Sequence, residues 1–110
     1  MKGELKSRVY MLFTENDNWL GQIVLTSDGM FSSVTDYGNF SFAWRHTGYD
    51  DFREFMAKID VHYFAGKMVQ GISYVVHNKQ VTKAAEMFAE KVLPALQKML
   101  KEEIEQKTPF

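Results

Sequence analysis

The side chains best suited to chemistry are three histidines, His46, His62 and His77, and the carboxylates Asp50, Asp51 and Asp60, which lie near two of them. A zinc site needs three or four such ligands converging on one point. No two of the histidines are spaced i, i+3 or i+4, the spacings that share a helical face, so a metal centre would have to be assembled from distant segments. The chain has no cysteine, which excludes thiolate ligands, a cysteine nucleophile and disulfides. Serine, histidine and aspartate all occur, but no serine stands in a nucleophile elbow or similar context. Gly38, Gly48, Gly66 and Gly71 are scattered and make no phosphate-cradling loop. The aspartates are explained more simply as helix caps. We therefore expect no metal, no cofactor and no catalytic residue, in a protein that is not an enzyme.

Recognition residues are easier to find. Arg45-His46-Thr47-Gly48-Tyr49 falls where strand-like sequence gives way to helix-like sequence, and loops at such junctions often carry binding residues. An arginine with neighbouring aromatic groups suits a protein-binding hot spot, so Arg45, His46 and Tyr49 are the candidate partner-binding residues. The blander use of Arg45 is an ion pair with Asp50 or Asp51 that secures the junction, and this is the favoured one. A second candidate surface is the apolar stripe of the last helix, which could serve a partner groove or a homodimer seam, although intramolecular core is its more ordinary use.

These residues must be positioned by the elements around them. Arg8 to Thr14 is rich in β-formers, Trp19 to Thr26 reads as a second strand with Trp19, Gly21, Ile23 and Leu25 on one face, Met30 to Thr35 as a third, and Phe40 to Arg45 as a fourth. The intervening turns, Glu15 to Asn18, Ser27-Asp28-Gly29 and Asp36 to Asn39, are short and polar, which favours an antiparallel meander. After Gly48 the apolar period lengthens to that of a helix. Asp50 or Asp51 can cap a helix, and Asp51 with Glu54 is compatible with a capping-box-like start, ahead of the Phe52, Phe55, Met56, Ile59 stripe. Asp60 caps a second helix with Val61, Phe64, Ala65, Met68 and Ile72 on its inner side. Residues 73–77 read equally as helix end or strand. Asn78 caps a third helix to about Gln106, with a stripe of Val81, Ala85, Phe88, Val92, Leu96, Met99 and Ile104. Pro94 predicts a kink or break near Leu93, and the charged end from Lys101 to Lys107 a solvated or fraying last turn. The expected fold is α+β: a four-stranded antiparallel meander (strands about 8–45) followed by three helices (about 50–106) packed on one face of the sheet, in a single domain over residues 1–110.

The composition is that of an ordinary globular protein, 45% hydrophobic and 25% charged, with a net charge of −1. Basic and acidic groups are mixed along the whole chain, so no phosphate-seeking surplus is visible. No stretch is apolar and long enough to span a bilayer or to serve as a signal peptide, and a cytoplasmic location without membrane contact is expected. Nine of the aromatic residues fall between Tyr37 and Phe64. Phe40, Phe42 and Trp44 alternate onto one strand face, where they could stack nucleic-acid bases if exposed. The favoured reading seals them beneath the helices as core.

The stretch Gly38 to His46, followed by Phe52-Arg53-Glu54-Phe55-Met56 and Asp60 to Met68, resembles small uncharacterised proteins encoded by bacteriophages and prophages. The likeness runs over about residues 16–70: an aromatic strand ending in Trp-Arg, an acidic-capped helix, then Asp-x-x-Tyr-Phe with a small residue and Lys. It brings no defined activity. It implies a small accessory protein that binds a protein partner, a host or phage macromolecular complex, for instance as an anti-defence inhibitor of a CRISPR effector in the host cytoplasm. The alternative is a single-stranded nucleic-acid-binding domain using an aromatic sheet face.

Overall fold

The computed structural model describes residues 4–72 and 79–110. Three tight turns organise its first half. At the first, Asp17 takes a left-handed conformation (φ 62°), and Thr14 closes the turn by donating its N–H to the Asn18 carbonyl at 2.8 Å. At the second, Gly29 (φ +97°) donates its N–H to the Thr26 carbonyl at 3.1 Å. A side chain at Gly29 would be strained by that φ and would also run into the Trp44 carbonyl, because the chain after the fourth strand passes directly beside it. The third spans residues 36–39.

These turns join β1 (Ser7–Phe13), β2 (Trp19–Thr26), β3 (Met30–Thr35) and β4 (Ser41–Ala43) into an antiparallel sheet in sequential order. Three helices follow, α1 (Phe52–Met56), α2 (Val61–Gln70) and α3 (Lys79–Glu105). This is the α+β meander expected from the sequence. The question left open at residues 73–77, and the Asn78 cap, lie outside the described residues.

Register decides which face is buried. Val9 pairs with Val24, Met11 with Gln22 and Leu12 with Gly21, but Phe13 then pairs with Trp19, leaving Leu20 as an extra residue on β2. Such a bulge reverses the alternation for everything beyond it. Leu20 is therefore buried and Trp19 is exposed, so the expectation that Trp19 shares the inner face with Gly21, Ile23 and Leu25 does not hold. β4 is also shorter than the predicted Phe40–Arg45. The Ser33 hydroxyl accepts from the Phe40 N–H (2.9 Å) and donates to the Phe40 carbonyl (3.0 Å), which satisfies that residue without a ladder. At the other end the Trp44 N–H goes to the Gly29 carbonyl at 2.8 Å.

The helices cover the inner face. Asp51 accepts from the Arg53 N–H and Asp60 from the Tyr63 N–H, so both predicted caps are in place. Gln97 of α3 donates to the carbonyls of Met56 (3.0 Å) and Ile59 (2.7 Å), which anchors the end of the short α1. The apolar contacts converge on one core: Phe31 meets Phe64 edge-on at 5.1 Å, and Phe40 lies 4.5 Å from Phe88. Phe40 and Trp44, on either side of β4, are buried beneath the helices, and Phe42 within it is half-buried. The stacking platform considered above is therefore occupied by the protein itself.

Of the expectations for α3, the break near Leu93 and the fraying of the last turn do not hold. The helix runs unbroken through Pro94. Pro94 and Glu90 both face solvent, so the carbonyl deprived of its amide partner can be hydrated. Nor is the charged end a fraying turn. Lys107 takes the left-handed conformation (φ 55°), with its N–H on the Ile104 carbonyl (3.1 Å) and the Thr108 N–H on the Glu103 carbonyl (3.0 Å). This double closure is the Schellman arrangement. It turns Thr108, Pro109 and Phe110 back onto the protein.

Candidate functional site

The loop 45–50 leaves the sheet at Trp44 and enters α1 at the Asp51 cap. Thr47 shapes it, its hydroxyl oxygen accepting from the Tyr49 N–H at 3.1 Å, and Gly48 supplies the positive φ (81°) the bend requires. Facing this loop is the β2–β3 turn, drawn close by the Trp44 to Gly29 hydrogen bond. Between them lies an open groove of about 350 Å³. Ser27, Asp28 and Gly29 form one wall, Arg45 to Asp50 the other, and Trp44 and Phe52 border it.

The three sequence-predicted residues come together here. Arg45, His46 and Tyr49 all line the groove and all are exposed. The Tyr49 ring rests against Phe55 (6.4 Å between centroids) and beneath the Lys58 ammonium (4.9 Å), so it is held in place while 39% exposed. Arg45 does not pair with Asp50 or Asp51. Among the described residues Asp51 is taken by Arg53, and Arg45 makes no hydrogen bond or ion pair. The junction is secured by a different arginine, and the donors of the Arg45 guanidinium are unused among the described residues. What the sequence did not disclose is the opposite wall: Ser27 to Gly29 reach the loop only through a backbone contact between distant segments, for which no local pattern exists.

Beside α1 lies a polar cluster that sequence reasoning also missed. Arg53, 4% exposed, donates through Nε and Nη2 to both Asp51 oxygens (3.1, 3.2 and 2.7 Å), through Nη1 to Glu103 Oε1 (3.2 Å) and through Nη2 to the Thr108 carbonyl (2.9 Å). The Glu103 carboxylate also accepts from the Tyr10 hydroxyl (2.7 Å) and from Arg8 Nε and Nη2 (3.0 and 2.6 Å). Arg8 Nη1 reaches the Pro109 carbonyl at 3.0 Å, and the Arg53 guanidinium lies 5.2 Å from the centre of the Phe110 ring. Burial pushes the carboxyls of Asp51 and Glu103 up, but their hydrogen bonds to the arginines, and for Glu103 to Tyr10, outweigh it and hold both below the usual carboxylate range. Burial, with Glu103 beside it, raises the Tyr10 phenol well above its ordinary value.

Two arginines and two carboxylates neutralise one another in this cluster. Among the described residues no buried side-chain nitrogen or oxygen lacks a partner, so the cluster presents nothing to a ligand. Its role is to clasp β1, α1 and the C-terminal residues together. Part of the signal was present: in β1 the alternation puts Arg8 on the same face as Tyr10 and Leu12, and an inward arginine demands a carboxylate.

Of the histidines, His46 lies in the groove, His62 sits exposed on α2, and His77 lies outside the described residues. Among the described residues no three His, Asp or Glu side chains are grouped to hold a metal ion. Nor is any helix long and apolar enough to cross a membrane.

A model of the phage family Phage_phiTE_072 matches residues 2–83, a span that includes the whole sheet, both walls of the groove, α1 and α2. No curated protein and no solved structure matches the chain.

Proposed function

The chain belongs to this phage family, and from that premise we propose that it is a small non-enzymatic protein-binding module that acts in the host cytoplasm by stoichiometric engagement of a host protein complex. A defence complex such as a CRISPR effector is the concrete version of that partner. The observation that carries the reading is the groove between loop 45–50 and the β2–β3 turn, where an arginine with free donors stands beside a braced, exposed tyrosine. Arginine and tyrosine at the edge of a concave surface are the residue types that dominate protein–protein affinity. The groove offers one arginine against Asp28 and Asp50, with none of the basic surplus that attracts nucleic acid.

The test is paired capture from cells of the phage's host, using tagged wild-type protein and the Arg45→Ala/Tyr49→Ala variant. Both positions are exposed, so the variant should keep its thermal transition. A host protein recovered in near-equal amount with the wild type should fall at least about tenfold with the variant, as loss of even one hot-spot contact implies. An unchanged set of captured proteins, or capture abolished by nuclease treatment, would overturn the proposal.

A further inference from the structure

The helices cover one face of the sheet, and the other is largely apolar and, among the described residues, uncovered. Ser7, Val9, Met11 and Phe13 of β1 face outward, the last three exposed at 59%, 42% and 53%. Register sets these three against Val24, Gln22 and Trp19 of β2, and Gln22 in turn against Val34 of β3, so they form one continuous surface. Met30 extends it toward β4, where Ser41 and Ala43 face outward. A solvated sheet face ordinarily alternates to polar and charged residues. Here no outward-facing strand residue is charged, in a chain of which a quarter is.

We propose that this face is the interface of a homodimer, two copies packing sheet against sheet about a two-fold axis. The inference is independent of the groove, which opens at the β2–β3 turn. Three observations point to a second copy. With no charge on the face, two identical surfaces meet without opposing like charges, whereas a nucleic acid or a charged partner would find nothing to pair with.

The polar groups that do lie there are self-complementary. The Gln22 amide at the centre and the Ser32 and Ser41 hydroxyls each both donate and accept, as a symmetric contact requires. The one indole N–H on the face is already used, donated by Trp19 Nε1 to Met11 Sδ at 2.8 Å, so the aromatic presents only apolar surface.

The area is also sufficient. Strands of seven, eight, six and three residues, rising about 3.3 Å per residue and lying about 4.8 Å apart, make a footprint of about 380 Å², which side-chain relief raises to about 600 Å² per copy. Two copies together then reach the lower end of the roughly 1,200–2,000 Å² buried in stable interfaces.

The test is the mass in solution by sedimentation equilibrium across a dilution series, together with Trp19 fluorescence. The wild-type protein should move from the 12.8 kDa monomer to twice that mass with rising concentration. Tryptophan emission should shift to shorter wavelength over the same range, with Trp19 as the reporter because Trp44 is buried in either state. Val9→Lys/Val34→Lys puts ammonium groups on the face at positions 59% and 58% exposed, where the fold should tolerate them. It should weaken the dimer at least a hundredfold, whereas Met87→Lys on exposed α3 should leave it intact. A wild-type protein that stays monomeric throughout would overturn the proposal. So would a dimer that survives the paired lysines, or one broken by Met87→Lys instead.

Discussion

Replacing Arg53 by methionine removes a guanidinium that is 4% exposed while roughly preserving the volume of the side chain. The Asp51 cap survives, because it uses the main-chain N–H of residue 53. What disappears is the two-oxygen contact with Asp51, the 3.2 Å bond to Glu103 and the 2.9 Å bond to the Thr108 carbonyl. Stripping one member from a buried ionic cluster typically costs about 3–5 kcal/mol. Glu103 retains Arg8 and Tyr10, and the Asp51 side chain is 28% exposed and can recruit water, which places the loss near the lower bound, about 3 kcal/mol. For a domain of this length that is a fall of about 15 °C in Tm. Urea denaturation of Arg53→Met, Glu103→Gln and the double variant completes a thermodynamic cycle, with an expected coupling of at least about 1 kcal/mol. An Arg53→Met protein within about 1 kcal/mol of wild type, or additive single effects, would refute the claim that this cluster holds the C-terminal residues to the sheet.

Three further outcomes follow from the same geometry. Asp51 and Glu103 titrate lower folded than unfolded, so the stability they contribute is complete above the unfolded carboxylate range near pH 4 and is lost as pH falls through their folded values. Tyr10 titrates higher when folded, so its contribution is lost only as pH rises beyond about 10; denaturation midpoints against pH should show both slopes, and Glu103→Gln should flatten the acid one. Pro94→Ala restores a donor to the Glu90 carbonyl on the exposed side of α3 and should stabilise by about 1–2 kcal/mol in thermal melts. Gly29→Ala should destabilise by about 2 kcal/mol or more in the same assay, since a Cβ there meets both a φ of +97° and the Trp44 carbonyl.

What could be read from the chain was whatever depends on near neighbours. The caps at Asp51 and Asp60, the Gly29 turn and the period change after Gly48 are all local events, and each lies where the pattern put it. Arg45, His46 and Tyr49 were legible as a loop cluster for the same reason. The bulge at Leu20 was not, because both Trp19 and Leu20 are apolar and only pairing with β1 shows which one turns inward. The outer face was hidden likewise: in β1, Val9, Met11 and Phe13 are as apolar as Tyr10 and Leu12, so alternation alone could not say which set was core. The Arg53–Glu103 pair joins residues fifty apart and leaves no trace in either helix's own sequence. Glu103 falls within the charged end expected to be solvated or fraying, and Arg53 stands off the apolar stripe of its helix.

The most direct test of the proposed role is photo-crosslinking in infected host cells, with a photoreactive amino acid substituted at Tyr49 in one protein and at the exposed α3 residue Met87 in another. The groove reading expects one discrete host-protein adduct from position 49 that is absent from position 87. Adducts to nucleic acid, the same pattern from both positions, or none from position 49 would contradict it.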